Sequence, residues 1–216
     1  MDLRPYYEND IEYIDHVVLQ HESEIREMCL HILNESSIKK VIEIGTYEGG
    51  TAYIWSQLVD RYDGQVFCID KRFGSQKEST EPWPCGASNN IEPIYRNTPF
   101  SDRVIEIEGC SDHPKVLESL GLLLDGKKVD LLFHDGDHSY EMAKKDFQNY
   151  SPFVRPGGWI AICDWKDETH GVSKFWPEIK TKYESWEFVI QQMPHEKQKS
   201  HRWLGFKNGI GLIKWV

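Results

Sequence analysis

The chain predicts an α/β fold built on a doubly wound, mostly parallel sheet. Three observations predict it. Short apolar runs alternate with amphipathic stretches through most of the 216 residues. The runs end on glycine or an acid, as at Ile44-Gly45, Ile69-Asp70, His134-Asp135 and Cys163-Asp164. One stretch, Val41-Ile42-Glu43-Ile44-Gly45-Thr46-Tyr47-Glu48-Gly49-Gly50-Thr51, reads as a buried strand, a glycine turn and the start of a helix. Alternation of this kind gives parallel strands joined by crossover helices.

Each element follows in order. Residues 7 to 35 predict a helix, because Ile25, Met28, Cys29, Ile32 and Leu33 recur at helical spacing and build one apolar stripe. Val41–Gly45 is the first strand and 51–62 the next helix. Val66–Asp70 is the second strand. Residues 72 to 93 carry Gly74, Pro82, Pro84, Gly86, Asn89 and Asn90, too many breakers and too long a stretch for an ordinary turn. Val104–Glu108 is the third strand. Pro114 opens a helix over 114–124, with Val116, Leu117, Leu120 and Leu124 in register. Val129–His134 is the fourth strand, and 140–150 a helix with Tyr140, Ala143, Phe147 and Tyr150 on one face. Pro156-Gly157-Gly158 is a turn into a fifth strand, Trp159–Asp164. A helix near 173–182 follows. Phe188–Gln191 and Gly209–Trp215 close the chain without a helix between them, which predicts an antiparallel hairpin at one edge. The expected organisation is one domain over 1–216, with a helical segment at 1–37 and a lid at 72–93.

Composition narrows the function. Hydrophobic residues make up 39% of the chain, enough for a packed core. The formal charge is −10, which argues against a nucleic-acid partner, because phosphate-backbone binders carry a basic face. No apolar run reaches the length of a membrane span and the N-terminus shows no leader pattern, so no membrane partner is expected and the default location is cytoplasmic. The five cysteines are scattered with no Cys-x-x-Cys pair, which predicts neither a disulfide framework nor a structural zinc site. The apolar N-terminal helix offers a face for a homo-oligomer.

The polar residues at the strand ends carry the chemistry. A strand that breaks on glycine and opens a helix presents backbone N–H groups to a ligand. The spacing of Gly45, Gly49 and Gly50 does not fit the dinucleotide fingerprint. Glu43 inside the strand disfavours a phosphate and suits a cationic or polyhydroxyl ligand. Asp70, at the end of the second strand, is placed to accept both hydroxyls of a ribose. Ser111 has two readings, a bond to an adenine edge or a cap on the helix opened by Pro114. His134-Asp135-Gly136-Asp137-His138 is the densest polar cluster. His138 falls at the start of a helix, where the dipole favours the neutral ring, while Asp137 acts the other way. Asp135 and Asp164 would lie side by side if strands four and five are neighbours, and two carboxylates in one crevice can hold a divalent cation such as Mg²⁺. His113 and His170 read as surface residues.

Taken in order, Glu43-x-Gly45 with Gly49, Asp70, Gly109-x-Ser111, Val129–Gly136 and Pro156-Gly157-Gly158 resemble the class I S-adenosylmethionine-dependent methyltransferases. Asp135-Gly136-Asp137-His138-Ser139-Tyr140, followed by Lys145-Asp146, resembles the branch with the cephalosporin hydroxylase-like proteins and the macrolide-sugar O-methyltransferases. The resemblance covers roughly residues 38 to 182. It implies a seven-stranded Rossmann-like sheet with the last strand antiparallel, and S-adenosylmethionine as cofactor. It implies a cofactor site of Glu43, Gly45, Thr46, Tyr47, Gly49, Asp70, Ser111 and Asp135. Gly45, Thr46 and Gly49 would pass the methionine part, Asp70 would hold the ribose and Ser111 would lie near the adenine. It further implies His138 as general base and Mg²⁺ at Asp135 and Asp164, although Cys163 stands where such relatives carry a second carboxylate. The expected activity is O-methyl transfer to a small-molecule or sugar hydroxyl, free or in a glycan. Two alternatives stay open, a non-catalytic S-adenosylmethionine-binding module and an NAD-type oxidoreductase.

Overall fold

The computed structural model describes residues 22–71, 92–189 and 209–216. The elements are α1 (Glu22–Glu35), β1 (Lys40–Ile44), α2 (Gly50–Asp60), β2 (Gln65–Asp70), β3 (Val104–Glu108), α3 (Pro114–Leu124), β4 (Val129–His134), α4 (Tyr140–Tyr150), β5 (Val154–Ile162), α5 (Val172–Lys180), β6 (Ser185–Phe188) and β7 (Ile210–Lys214). These strands make one seven-stranded sheet in the order β3-β2-β1-β4-β5-β7-β6. Strands β1 to β5 pair in parallel, and β7 runs antiparallel to both β5 and β6. The C-terminal strand is therefore the antiparallel one, and it lies inside β6, which takes the edge. Of the expected insert over 72–93, residues 72–91 lie outside the described residues, as does the expected helix before residue 22.

Why apolar runs become strands is visible in their faces. Val41, Val66, Cys68, Leu131, Phe133, Trp159 and Ala161 pack with Ile25, Met28, Ile32 and Trp55 of α1 and α2. Their neighbours Ile42, Ile44, Phe67, Ile69, Leu132, Ile160 and Ile162 pack with α3, α4 and α5. The period of two is intact, but both faces are covered, so both sets are apolar and the alternation is hidden in the sequence. Trp55, Phe133 and Trp159 are fully buried. Each such side chain contributes about 1.5–3 kcal/mol of apolar transfer.

Four details differ from the sequence reading. The sixth strand is Ser185–Phe188, ahead of the expected Phe188–Gln191, of which residues 190 and 191 lie outside the described residues. Pro156-Gly157-Gly158 lies within β5 and not before it. The β4–β5 register slips between Val129 and Leu131, and Gly157 takes φ +72°, so the motif is a bulge that strand pairing runs through. The apolar stripe of α1 is consumed inside the chain. Ile25, Met28, Cys29 and Ile32 are fully buried, and α1 packs on β6 and β7, so the described part of this helix offers no apolar face to a second copy. Among the cysteines, Cys29, Cys68 and Cys163 are buried thiols, whereas Cys110 is disulfide-bonded. Sequence spacing does not report pairs that only the fold brings together. Among the described residues no helix is long and apolar enough to cross a membrane.

The amino ends of the central strands are joined by one side chain. Asp130 Oδ2 accepts the backbone N–H of Lys39 at 2.8 Å and of Lys40 at 3.0 Å, and Oδ1 accepts Arg155 Nε at 2.6 Å. This ties β1, β4 and β5 together at the end opposite the glycine turn. Asp130→Ala removes the acceptor for two backbone donors and a guanidinium. It is expected to cost about 1–3 kcal/mol, read as a lower midpoint in denaturant unfolding. An unchanged midpoint would show that water replaces the carboxylate without loss.

Candidate active site

The functional residues converge because the backbone ladder runs one step past the strands. Gly45 N–H donates to Ile69 O at 2.9 Å, Asp135 N–H to Ile44 O at 2.9 Å, Cys163 N–H to His134 O at 3.0 Å and Gly109 N–H to Asp70 O at 3.0 Å. These four bonds set the five loops after β3, β2, β1, β4 and β5 side by side at the carboxyl end of the sheet. Strand order reverses between β1 and β4, and that switch point is where open α/β sheets form their ligand crevice.

The glycine turn is fixed by close approach. Gly45 has φ +84°, and a Cβ there would run into the backbone carbonyl of Asp135. Gly49, at φ +78°, precedes the first turn of α2, and a Cβ on it would come within 2.7 Å of the Tyr95 ring. Tyr47 between them is also left-handed, at φ +49°. Asp70 holds the turn in place, since its Oδ2 accepts the backbone N–H of both Thr46 and Tyr47 at 2.9 Å. A carboxylate has about four acceptor positions, so this role and a ribose role are compatible on one side chain.

Glu43 is fully buried in β1 and accepts Trp55 Nε1 at 3.1 Å and the Cys68 thiol at 3.5 Å. Burial pushes its pKa from the ordinary 4.5 up to about 7, the nearby charge of Asp135 adds to this, and hydrogen bonds from its neighbours offset only part. Ser111 sits in the turn after β3, where its carbonyl accepts the Tyr150 hydroxyl at 2.6 Å. The cap of α3 is His113, whose Nδ1 accepts Lys115 N–H at 3.3 Å, so the capping reading of Ser111 gives way to a residue read as surface.

His138 lies just before Ser139, the N-cap of α4. Its Nε2 is 3.3 Å from Asp135 Oδ1, and its Nδ1 is 3.7 Å from Asp164 Oδ2. Burial lowers the imidazole pKa, but the hydrogen bond to Asp135 and the charges of Asp135, Asp164 and Asp137 outweigh it, and the net direction is up. The carboxylates thus win over both burial and the helix dipole. Burial, with Asp135 next, pushes Asp164 up to about 7. Asp137 turns away and accepts Ser139 N–H at 2.8 Å.

Cys163 is fully buried in the core layer beneath α1 and α2, and Asp164 turns out of the strand in a left-handed conformation at φ +58°. The thiol therefore belongs to the core and only the carboxylate reaches the site. His170, which the sequence reads as a surface residue, sits beside His138. The ring centroids are 4.7 Å apart and the planes tilted by 40°, in a loop that carries no motif of its own.

A family model described as a methyltransferase domain matches residues 42–165. The chain belongs to this methyltransferase family. Its architecture and family are those of the class I S-adenosylmethionine-dependent enzymes. An uncharacterized protein of Acanthamoeba polyphaga mimivirus is 29% identical over 129 residues, 58% of this chain and 51% of that protein. The chain thus spans about half the length of that relative. Among solved structures, a protein from Clostridium thermocellum assigned as an rRNA methylase is 13% identical, with a TM-score of 0.59 over 92% of this chain and 100% of the other. One from Klebsiella pneumoniae assigned as an O-methyltransferase is 16% identical, with a TM-score of 0.57 over 99% and 86%. At these identities the likeness is one of fold, and the fold does not separate RNA from small acceptors.

Two tests follow for the methyltransferase turn. Gly45→Ala adds a left-handed strain of about 1–3 kcal/mol to a backbone clash. It should lower the thermal midpoint and abolish S-adenosylhomocysteine binding in calorimetry; normal binding would show that the two loops have room to part. For Glu43, the folded state holds its proton up to about pH 7, whereas the unfolded chain releases it near 4.5. Stability should therefore fall as pH rises through that window, by on the order of 3 kcal/mol from this group. Glu43→Gln should flatten the fall between pH 5 and pH 8 in chemical denaturation, and an unaltered slope would assign it to other groups.

Proposed function

We propose that this methyltransferase moves the methyl group of S-adenosylmethionine to a hydroxyl of a small molecule or sugar, with His138 as general base. The observation that carries the reading is the seat of His138. A carboxylate accepts hydrogen bonds, so Asp135, nearer at 3.3 Å than Asp164 at 3.7 Å, favours the ring proton on Nε2 and leaves Nδ1 to take the proton of the hydroxyl. His138 also lines a cavity of about 420 Å³ together with Tyr140, Glu168, His170 and Lys174, room for a sugar-sized acceptor.

Glu43, Gly45, Thr46, Tyr47, Gly49, Asp70, Ser111 and Asp135 are the proposed cofactor site. The acids among them suit a ligand that bears a sulfonium and a ribose. The cofactor supplies the electrophilic methyl and its leaving group. What this chain supplies is alignment of the hydroxyl behind the methyl, worth several powers of ten in rate, and removal of its proton to His138 Nδ1. The formal charge of −10 supports a small acceptor over RNA. Magnesium held jointly by Asp135 and Asp164 is not part of this proposal. The two carboxylates face different nitrogens of the His138 ring, Cys163 offers no ligand, and the step above needs no cation.

His138→Ala should lower turnover by roughly 10²–10⁴-fold and leave S-adenosylhomocysteine affinity unchanged. The assay is methyl transfer from labelled S-adenosylmethionine to a panel of sugars and phenols. Turnover of the wild type with no loss in the variant would remove His138 from the chemistry.

A further inference from the structure

We propose that His138, Asp164 and His170 form a binding site for a divalent first-row transition cation such as Zn²⁺, Co²⁺ or Fe²⁺. One ligand atom from each residue lies within 4.8 Å of those of the other two. Two imidazoles and one carboxylate are a nitrogen-rich donor set. Such a set favours transition metals, whereas Mg²⁺ prefers oxygen ligands alone.

The chain is built to bring these three together. Asp164 adopts φ +58°, a conformation rare for a residue with a side chain, which turns it out of the strand direction. The His170 loop is pressed onto the start of α4. Val172 N–H donates to the carbonyl of His138 at 2.9 Å, and a Cβ on Gly171 would collide with the backbone nitrogen of Tyr140. Only glycine at 171 lets the two histidines approach. The His170 carbonyl is held by the Ser173 hydroxyl at 2.6 Å. Its ring Nδ1 is buried and has no hydrogen-bond partner, a costly state for an imidazole nitrogen that no ligand completes.

The second layer fits as well. The Nε2 of His138 meets Asp135 at 3.3 Å and its Nδ1 faces Asp164 at 3.7 Å. A carboxylate behind a metal-ligating imidazole fixes the tautomer and raises ligand basicity. Ligands about 2.0–2.2 Å from a tetrahedral metal lie about 3.3–3.6 Å apart, so the cluster closes by small side-chain rotations. The neighbouring cavity leaves an outer position for water or a hydroxyl. This inference rests on the same His138 lone pair as the proposed base, and metal and proton are alternative occupants of it.

The test reads binding without acceptor or turnover, so its failure is separate from failure of the base assignment. Metal-free full-length protein is titrated with Co²⁺, followed by visible absorption, and with Zn²⁺ and Mg²⁺ in calorimetry. One equivalent of Co²⁺ should bind with a d–d band of a four- or five-coordinate site, and Zn²⁺ should bind at least 10-fold tighter than Mg²⁺. His170→Ala should weaken Co²⁺ more than 10-fold with S-adenosylhomocysteine affinity kept; His170→Gln serves if the alanine variant does not fold. Asp135→Asn should weaken it about 10–100-fold, and His113→Ala should change nothing. A missing band, Mg²⁺ as tight as Zn²⁺, or full binding by both His170 variants would overturn the site.

Discussion

The structure depends on the contact between two loops, the glycine turn after β1 and the segment after β4. The Asp135 N–H donates to Ile44 O at 2.9 Å, and the Asp135 carbonyl lies where a side chain on Gly45 would have to be. That contact exists because β1 and β4 are neighbours at the reversal of strand order, and it closes the floor of the crevice. Asp70 reaches the same turn from the far side through Thr46 and Tyr47. With the turn fixed from both sides, Glu43 below it and Asp135 and His138 beside it have little freedom left.

Charge is the second constraint. Glu43, Asp70, Asp135 and Asp164 stand around one crevice, and burial raises two of them to about 7. Burial is the main cause at both, and the charge of Asp135 adds to each. A sulfonium ligand, an imidazolium or a metal ion would each offset that charge. The carboxylates Asp135, Asp164 and Asp137 raise His138 despite its burial.

Much of the fold was legible because fully buried parallel strands and amphipathic helices leave strong local signals. Lys40–Ile44, Gln65–Asp70, Val104–Glu108 and Val129–His134 were readable from their apolar runs, and Tyr140–Tyr150 from its helical spacing. Errors fell where packing overrides local pattern. Pro156-Gly157-Gly158 looks like a turn, yet β4 and β7 hold it within a bulged strand. The stripe of Ile25, Met28, Cys29 and Ile32 looks exposed on the helix alone, yet the sheet covers it.

The sequence by itself determined the α/β class, the strand ends that carry Gly45, Asp70, Asp135 and Asp164, and the acidic character of the crevice. Each of these is a property of neighbouring residues, and local patterning expresses it. The tertiary structure alone decided which residues meet. Asp130 joins β1, β4 and β5 across 90 residues of chain, His113 and not Ser111 caps α3, Cys163 turns inward while Asp164 turns outward, and His170 lies beside His138. Such pairings are set by sheet order and by close approach at glycine, which no period in the chain encodes.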